Sequence, residues 1–186
     1  MKNVIVIPTY NERENIRSII EQIFHNVPGI YVTVVDDNSP DGTARLVLEM
    51  ANSYPNLNLI QKQKKAGLGK AYAYAFHKIL TNTDVRAIGM MDADLSHPPH
   101  MLPEMIQQLE KYNVVIGSRY IKGGKIVGWE FHRKFLSFFG NLYCRSITRL
   151  PIKDCTGGFN LIDSVLLRKI PLDIMDSSGY AFIMEL

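Results

Sequence analysis

Short apolar runs alternate with segments of helical periodicity over the first two thirds of this sequence. The apolar runs are predicted strands and cover residues 4–7, 31–35, 57–60, 87–91 and 114–116. The segments between them repeat apolar residues at helical spacing and predict helices at residues 16–24, 43–50, 70–80 and 99–109. Strands that alternate with helices form right-handed crossovers and parallel sheets. The predicted fold class is therefore α/β, with a mainly parallel sheet flanked by helices.

Three polar clusters directly follow predicted strands. They occupy residues 9–12, 36–41 and 92–96. In open sheets of this kind, ligands bind beyond the carboxyl ends of the strands. Three polar clusters at such ends therefore outline one site on one edge of the sheet.

The most specific cluster is Asp92-Ala93-Asp94, which places two carboxylates two residues apart after an apolar strand. The two charges would repel each other unless a cation lies between them or only one carboxylate faces it. Carboxylate oxygens suit Mg²⁺ or Mn²⁺, which share their remaining positions with water and substrate phosphates. A solvated turn is the alternative for an isolated motif, but a second acidic cluster at another strand end favours the metal.

The other two clusters contain groups suited to a nucleoside. Asp37 follows the second strand, where an acidic residue commonly accepts hydrogen bonds from ribose or a base edge. The alternative is a helix cap, which Ser39 or Asp41 can also provide. Tyr10 can stack on a base and Glu12 can accept from its donor edge, although Glu12 also suits a helix N-terminus.

Composition predicts one globular domain. The chain has 186 residues, 46% hydrophobic and 21% charged, enough to bury a core. A net charge of +3 gives no argument for a nucleic-acid partner. Cys144 and Cys155 lack metal-ligand spacing, which favours reduced cysteines in a reducing compartment.

No apolar stretch is long enough to span a membrane, and the apolar run at residues 4–7 is too short for a signal peptide. Residues 179–186 resemble the beginning of a secondary-structure element, and no capping or helix-breaking residue follows them. We therefore expect a single domain over residues 1–186 that is truncated at its C-terminus.

Four ordered motifs carry a family resemblance. They are PTYNEREN at residues 8–15, VVDDNSPDGT at 34–43, MDADLSHPP at 91–99 and GSRY at 117–120. Together they resemble the family-2 glycosyltransferases, specifically the dolichol-phosphate (polyprenol-phosphate) mannosyltransferases. The resemblance covers essentially the whole chain and implies the GT-A fold, a nucleotide-diphosphate sugar donor and a divalent metal, Mg²⁺ or Mn²⁺.

The resemblance also implies roles for individual residues. The nucleoside would be held by Pro8, Tyr10, Glu12, Val35 and Asp37. The diphosphate would be lined by Asp92, Ala93 and Asp94, with Asp94 as the principal metal ligand and Asp92 beside it. Arg119 would contact donor phosphate or sugar, for which its forked guanidinium is suited.

Two departures from the family pattern affect these expectations. Some relatives have Gln as a metal ligand at the position of Ser96, whose shorter side chain leaves room for a water. Relatives also continue to a C-terminal segment with basic residues that grip the diphosphate. A chain that ended at Leu186 would bind nucleotide weakly.

Three further segments have open interpretations. Residues 66–70 (AGLGK) suggest a phosphate loop but lack the full spacing, so a turn into a helix is favoured. Residues 129–150 interleave aromatic and basic side chains, which suits a helix at a membrane surface, a core-facing helix or an oligomer contact. Residues 154–159 (DCTGGF) resemble the family's acceptor-side loop, with Thr156, Gly157 and Gly158 near the acceptor phosphate, or form a tight turn. His97 is expected to be structural or solvent-exposed.

The expected enzyme is a polyprenyl-phosphate β-D-mannosyltransferase that moves mannose from GDP-mannose to a dolichyl or other polyprenyl phosphate, with inversion. The expected location is the cytoplasmic face of a membrane, with peripheral attachment and a possible separate membrane-anchoring subunit or domain. Two alternatives stay open: a related transferase that uses UDP-glucose or a hydroxyl acceptor, and a non-catalytic Mg²⁺-binding regulatory module. A receiver module would be shorter and would not need the DxD cluster after the fourth strand.

Overall fold

The computed structural model describes residues 1–63, 65, 67–121, 131–149, 151–175 and 179–186, with backbone only at residues 131, 133, 134, 136, 173 and 180. Its strands β1–β6 are Lys2–Thr9, Tyr31–Asp36, Leu57–Gln61, Val85–Met90, Val114–Ile116 and Asn160–Asp163. Its helices α1–α7 are Arg13–Asn26, Thr43–Ala51, Leu68–Leu80, Leu102–Gln108, Phe131–Thr148, Ser164–Leu167 and Tyr180–Glu185. Single 3₁₀ turns lie at Pro99–Met101 and Leu172–Ile174.

The six strands form one sheet in the order β3-β2-β1-β4-β6-β5. Neighbouring strands among β3, β2, β1 and β4 are parallel, as the alternation of strands and helices predicts. Strand β6 was not predicted, and it pairs antiparallel with both β4 and β5. The fifth predicted strand, β5, is therefore present. It does not pair with β4 as a further parallel neighbour, because β6 lies between the two strands.

Two apolar cores cover the two faces of the sheet. Alternate side chains of β1 enter different cores, with Ile5 and Ile7 on one face and Val4 and Val6 on the other. This alternation follows from the two-residue period of a strand. All four side chains are buried, which explains why this strand reads as a continuous apolar run.

The helices supply the outer layer of each core through their apolar stripes. The α1 stripe consists of Ile16, Ile19, Ile20, Ile23 and Phe24, all buried at the predicted helical spacing. On the other face, Tyr72 and Phe76 of α3 pack with Phe182 of α7. Within the described ranges, no helix combines the length and hydropathy that a membrane crossing requires.

Candidate active site at the carboxyl edge of the sheet

The three polar clusters lie at one edge of the sheet, as predicted. Strands β1 and β2 are parallel and in register to their last residues, where Thr9 faces Asp36. The Thr9 hydroxyl donates a 3.0 Å hydrogen bond to the Asp36 carboxylate. Strand β4 runs parallel on the other side of β1. The strand ends that precede Asp37 and Asp94 are thus two strand spacings apart, or about 10 Å.

Asp36 and Asp41 organise the loop after β2. Asp36 is fully buried and accepts hydrogen bonds from the backbone N–H and the hydroxyl of Ser39. Asp41 accepts from the N–H and hydroxyl of Thr43 at the start of α2, and from the N–H of Arg13. The turn and capping roles therefore belong to these two carboxylates rather than to Asp37.

Asp37 connects the end of β2 to the segment that follows β3. Its Oδ1 lies 3.0 Å from the Lys62 ammonium, an ion pair without hydrogen-bond geometry, and its Oδ2 accepts from the N–H of Gly67 at 3.1 Å. In the same segment, the Lys65 ammonium lies 3.6 Å from the centre of the Tyr10 ring. Sequence reasoning missed both lysines, although the basic run directly after β3 was a readable signal.

The remaining residues expected at the nucleoside lie on the same two strands or directly after them. Pro8 and Val35 are register partners on β1 and β2. The Glu12 carboxylate accepts a hydrogen bond from Asn15, in the first turn of α1, and the Glu12 N–H donates to the Thr43 hydroxyl. The structure therefore brings Pro8, Val35 and Asp37 together, while Glu12 also helps to join α1 to α2.

The two DxD carboxylates have different surroundings. Asp94 is exposed, and its carboxylate accepts a 3.0 Å hydrogen bond from the Ser96 N–H. Burial would raise the pKa of Asp94, but hydrogen bonding to Ser96 and the nearby His97 outweigh it and lower the pKa below its usual range. Burial raises the pKa of Asp92, against the attraction of His97, and the negative charge of Asp94 adds to the rise. Asp94 is therefore the more exposed and the more acidic of the two carboxylates, which suits it to meet a cation.

The side chains at the DxD turn can supply only part of the ligands of a divalent metal, so water and substrate phosphates would have to supply the rest. Among the described residues, no group of three or more His, Cys, Asp or Glu side chains is arranged to hold a metal ion. Asp92 and Asp94 supply hard carboxylate oxygens, and Mg²⁺ commonly uses one or two carboxylates, with water and substrate phosphates completing its shell. The Ser96 N–H donates to Asp94, so Ser96 lies beside the predicted metal position.

Arg119 is held by a buried carboxylate that sequence reasoning did not connect to it. Its Nε and Nη2 donate to the two oxygens of Asp154 at 2.8 and 2.7 Å, and Nη2 also reaches the Thr156 hydroxyl at 2.8 Å. Burial alone would raise the pKa of Asp154, but the hydrogen bonds and charge of Arg119 outweigh it and lower the pKa. The GSRY motif and the predicted acceptor-side loop are therefore one structural unit.

The predicted acceptor-side loop packs closely against its surroundings, and its glycines leave the necessary space. A Cβ on Gly157 would lie 3.2 Å from the Asp154 carboxyl carbon, and one on Gly158 would lie 3.3 Å from Cε1 of His97. The His97 ring stacks on Phe159 at 5.2 Å between centroids and 10° between planes. His97 thus joins the DxD loop to the loop of Thr156, Gly157 and Gly158, and its side chain is largely enclosed rather than solvent-exposed.

The segment before α3 forms a turn into the helix. Gly67 has a φ of +91°, which favours glycine, and Lys70 in the first turn of α3 is exposed. The Gly67 N–H is directed to Asp37. Of the predicted motif, Ala66 lies outside the described residues.

Among the described side chains of α5, one is buried and many others form a broad exposed apolar face. Asn141 is buried and bonds both the N–H of Cys155 and the hydroxyl of Thr156. The exposed apolar side chains are Phe135, Phe138, Phe139, Leu142, Tyr143 and Ile147. Arg145 and Arg149 are also exposed. Trp129 and Leu150, at the ends of the predicted aromatic-basic segment, lie outside the described residues.

Comparison with known proteins agrees with the motifs. Residues 4–170, most of the chain, match the family described as Glycosyl transferase family 2. The chain belongs to this family. The resemblance that the four motifs carry is therefore confirmed.

Two relatives of this glycosyltransferase domain align over its whole length. Polyprenol monophosphomannose synthase of Mycolicibacterium smegmatis is 37% identical over 100% of this chain and 70% of its own length. Undecaprenyl-phosphate mannosyltransferase of Micrococcus luteus is 37% identical over 100% of this chain and 76% of its own length. Both names describe mannosyl transfer that involves a polyprenyl phosphate.

A solved structure supports the fold. Glucosyl-3-phosphoglycerate synthase from Mycobacterium tuberculosis, in complex with Mn²⁺, UDP and glucosyl-3-phosphoglycerate, matches with a TM-score of 0.64 at 18% identity. The match covers 98% of this chain, which spans 62% of the length of that one. At this identity the likeness concerns the fold alone, and it confirms the predicted GT-A architecture.

Proposed function

We propose that this glycosyltransferase domain transfers a mannosyl residue from GDP-mannose to a polyprenyl phosphate, with inversion at the anomeric carbon. The observation that carries the proposal is the contact between the DxD loop and the loop of Thr156, Gly157 and Gly158 through His97. It joins the predicted diphosphate position to the predicted acceptor position at one edge of the sheet. The names of the two mannosyltransferase relatives supply the acceptor and sugar.

The donor nucleoside would lie over the ends of β1 and β2. Tyr10 offers a ring face, now covered by Lys65, and Asp37 offers carboxylate oxygens now contacted by Lys62 and Gly67. A carboxylate can accept from both the ring N–H and the exocyclic amine of guanine. Pro8, Val35 and Glu12 would complete this part of the site.

Asp94 and Asp92 would hold a divalent metal beside the donor diphosphate, with Ala93 lining the same turn. When bound, the metal would neutralise the charge that develops on the leaving diphosphate. The ionised, exposed carboxylate of Asp94 makes it the principal ligand in this proposal. Asp92, which is more enclosed than Asp94, would be the second ligand beside it.

The acceptor needs no strong general base. A phosphate monoester has its second ionisation near about 6, so a polyprenyl phosphate is already an anionic nucleophile at neutral pH. Catalysis would depend on position, and the unit of Arg119, Asp154 and Thr156 offers a rigid polar surface beside the DxD loop. In this proposal Arg119 contacts donor phosphate or sugar.

Transfer of radiolabelled mannose from GDP-mannose into a lipid-extractable product tests the proposal. Asp94→Asn should reduce transfer at least about a hundredfold, because metal stabilisation of a leaving group is worth several kcal/mol. Glu104→Gln, an exposed carboxylate on α4, is the matched control and should leave transfer unchanged. Near-normal transfer by Asp94→Asn would reject its role as the principal metal ligand.

A parallel set with UDP-glucose as donor, and with a hydroxyl acceptor, separates the proposal from related transferases. The shift in the thermal unfolding midpoint on adding GDP or UDP, each with and without Mn²⁺, tests the alternative of a non-catalytic module. Stabilisation by GDP with Mn²⁺ supports the proposal. Stabilisation by neither nucleotide would favour a regulatory module instead.

The exposed apolar face of α5 supports a membrane surface as the place of reaction. Aromatic side chains with neighbouring Arg145 and Arg149 suit a helix that lies in the headgroup region of a bilayer. The same helix holds the acceptor-side loop through Asn141. A lipid-embedded acceptor phosphate would thus approach the site from the side of α5.

A further inference from the structure

His97 lies between two loops that approach the predicted reaction centre from different parts of the chain. Its side chain is 14% exposed. Its Nδ1 accepts a 2.9 Å hydrogen bond from the backbone N–H of Asp92. The flat face of the same ring stacks on Phe159, and its Cε1 edge lies against Gly158. The Nδ1 atom therefore serves the DxD turn, while the ring face and the Cε1 edge serve the loop that contains Gly158.

The hydrogen bond from Asp92 closes the DxD turn at its first residue. Within this turn Leu95 has a φ of +63°, a left-handed conformation that is costly for a residue with a branched, bulky side chain. Ser96 closes the second half of the turn through its N–H bond to Asp94. Two local hydrogen bonds thus hold a strained turn, and the one from Asp92 depends on the Nδ1 atom of His97.

The ring face acts on the acceptor-side loop. Phe159, on which His97 stacks, also accepts a backbone hydrogen bond from Gly117 at 2.8 Å. Gly117 leaves no room for a side chain, since a Cβ there would lie 2.5 Å from the Phe159 ring. The position of Phe159 is therefore set by His97 on one side and by the segment that leads to Arg119 on the other.

We propose that His97 is a positioning residue with two separable effects, which rest on the proposed function. Through Nδ1 it orders the turn of Asp92 and Asp94 for the metal and the donor diphosphate. Through its ring face it orders the loop of Thr156, Gly157 and Gly158 for the acceptor phosphate. His97 itself contacts no reacting atom in this proposal.

Two substitutions separate these effects. In His97→Asn, the side-chain Oδ1 takes the place of Nδ1 as the acceptor for the Asp92 N–H, and the aromatic stack is lost. In His97→Phe, the stack on Phe159 is kept and the acceptor is lost. His100→Asn is the matched control, since His100 is exposed three residues further along the same segment.

Titration of each variant with GDP in the presence of Mn²⁺, and transfer kinetics with a short polyprenyl phosphate, measure the two effects. His97→Phe should weaken binding of GDP with Mn²⁺ about tenfold, the factor that about 1.4 kcal/mol corresponds to. His97→Asn should keep that affinity within about twofold and raise the KM for the polyprenyl phosphate about tenfold. Equal changes in both constants for both variants, or changes no larger than those of His100→Asn, would overturn the proposal.

Amide hydrogen exchange at Asp92 provides a readout that needs neither donor nor acceptor. The Asp92 N–H should exchange slowly in the parent and in His97→Asn, and at least about tenfold faster in His97→Phe, because only the last lacks an acceptor. Unchanged exchange in His97→Phe would overturn the positioning role even if the protein transfers mannose. A third outcome is that exchange follows the expected pattern but the protein binds no nucleotide. That result would reject the proposed function and would still support the role of His97 in ordering the loop.

Discussion

The Asp154 carboxylate is fully buried, while the Arg119 guanidinium that it binds is 22% exposed. Removing one partner of such a pair leaves an uncompensated charge, and the cost of that exceeds the value of an exposed ion pair. Arg119, Asp154 and Thr156 come from two segments separated by 35 residues or more. A change at this pair should therefore alter stability as well as the site.

Asp154→Asn should lower the free energy of unfolding at pH 7 by about 3 kcal/mol, measured by urea denaturation. The control is Asp84→Asn, whose ion pairs with the N-terminus and Lys2 are exposed, and it should cost less than about 1 kcal/mol. An equal cost for both variants would contradict the buried-pair interpretation.

The pH dependence of this difference has a definite sign. The folded-state pKa of Asp154 is lowered, so its contribution is fully present above the unfolded value near about 4. The contribution is lost as pH falls through the lower folded-state pKa. The stability gap between the parent and Asp154→Asn should thus be constant from about pH 5 to 7 and shrink below about pH 4. A gap that widened on acidification would contradict the direction of the shift.

Among the described parts of the helices and strands, α5 carries the largest set of exposed apolar side chains. The ring centroids of Phe135 and Phe139 lie 4.3 Å apart, because residues four positions apart lie on the same side of a helix. Phe135 is 56% exposed to solvent. Burying two such side chains at a lipid surface contributes enough free energy to dominate weak membrane binding.

Phe135→Glu combined with Phe139→Glu should weaken binding to vesicles with anionic lipid at least about tenfold, measured by co-sedimentation. The matched control is Leu48→Glu on α2, an equally exposed apolar position at 55% exposure. It should leave vesicle binding unchanged. Equal loss in the control would indicate a general charge effect rather than a surface formed by α5.

At the scale of the whole molecule, the insertion of β6 beside β4 depends on Gly89. Gly89 is the register partner of Ile5 on β1 and of Leu161 on β6. A Cβ at this position would lie 2.5 Å from Cδ1 of Ile5 and 2.7 Å from Cδ2 of Leu161. The glycine thus provides the space in which the side chains of the two neighbouring strands meet over β4.

Gly89→Ala should lower the free energy of unfolding by about 1–3 kcal/mol, the usual cost of overpacking a core. The cost should be smaller when Leu161→Ala is present, since contacting residues are not additive. Gly140→Ala, with nothing within 4 Å of the added carbon and a helical position, should be neutral or stabilising. Additive costs at Gly89 and Leu161 would argue against β6 as the neighbour of β4.

Local pattern in the sequence was sufficient to predict the parallel part of the fold. The isoleucine stripe of α1 and the apolar run of β1 are encoded by residues within a few positions of one another, so periodicity reveals them. The shared edge of Thr9, Asp37 and Asp94 follows from parallel order alone. Strand β6 has only four residues and polar ends, which left no periodic signal to read.

The partnerships within the site were decided by tertiary structure. Lys62 meets Asp37, His97 stacks on Phe159 and Arg119 binds Asp154, and the two members of each pair lie far apart in the sequence. The residue types in a sequence show which hydrogen bonds, ion pairs and ring contacts are possible. Each of these side chains, however, had several chemically suitable partners. The choice among them is made by which loops the sheet brings to the same edge, because hydrogen bonds and ring contacts form only over a few ångströms.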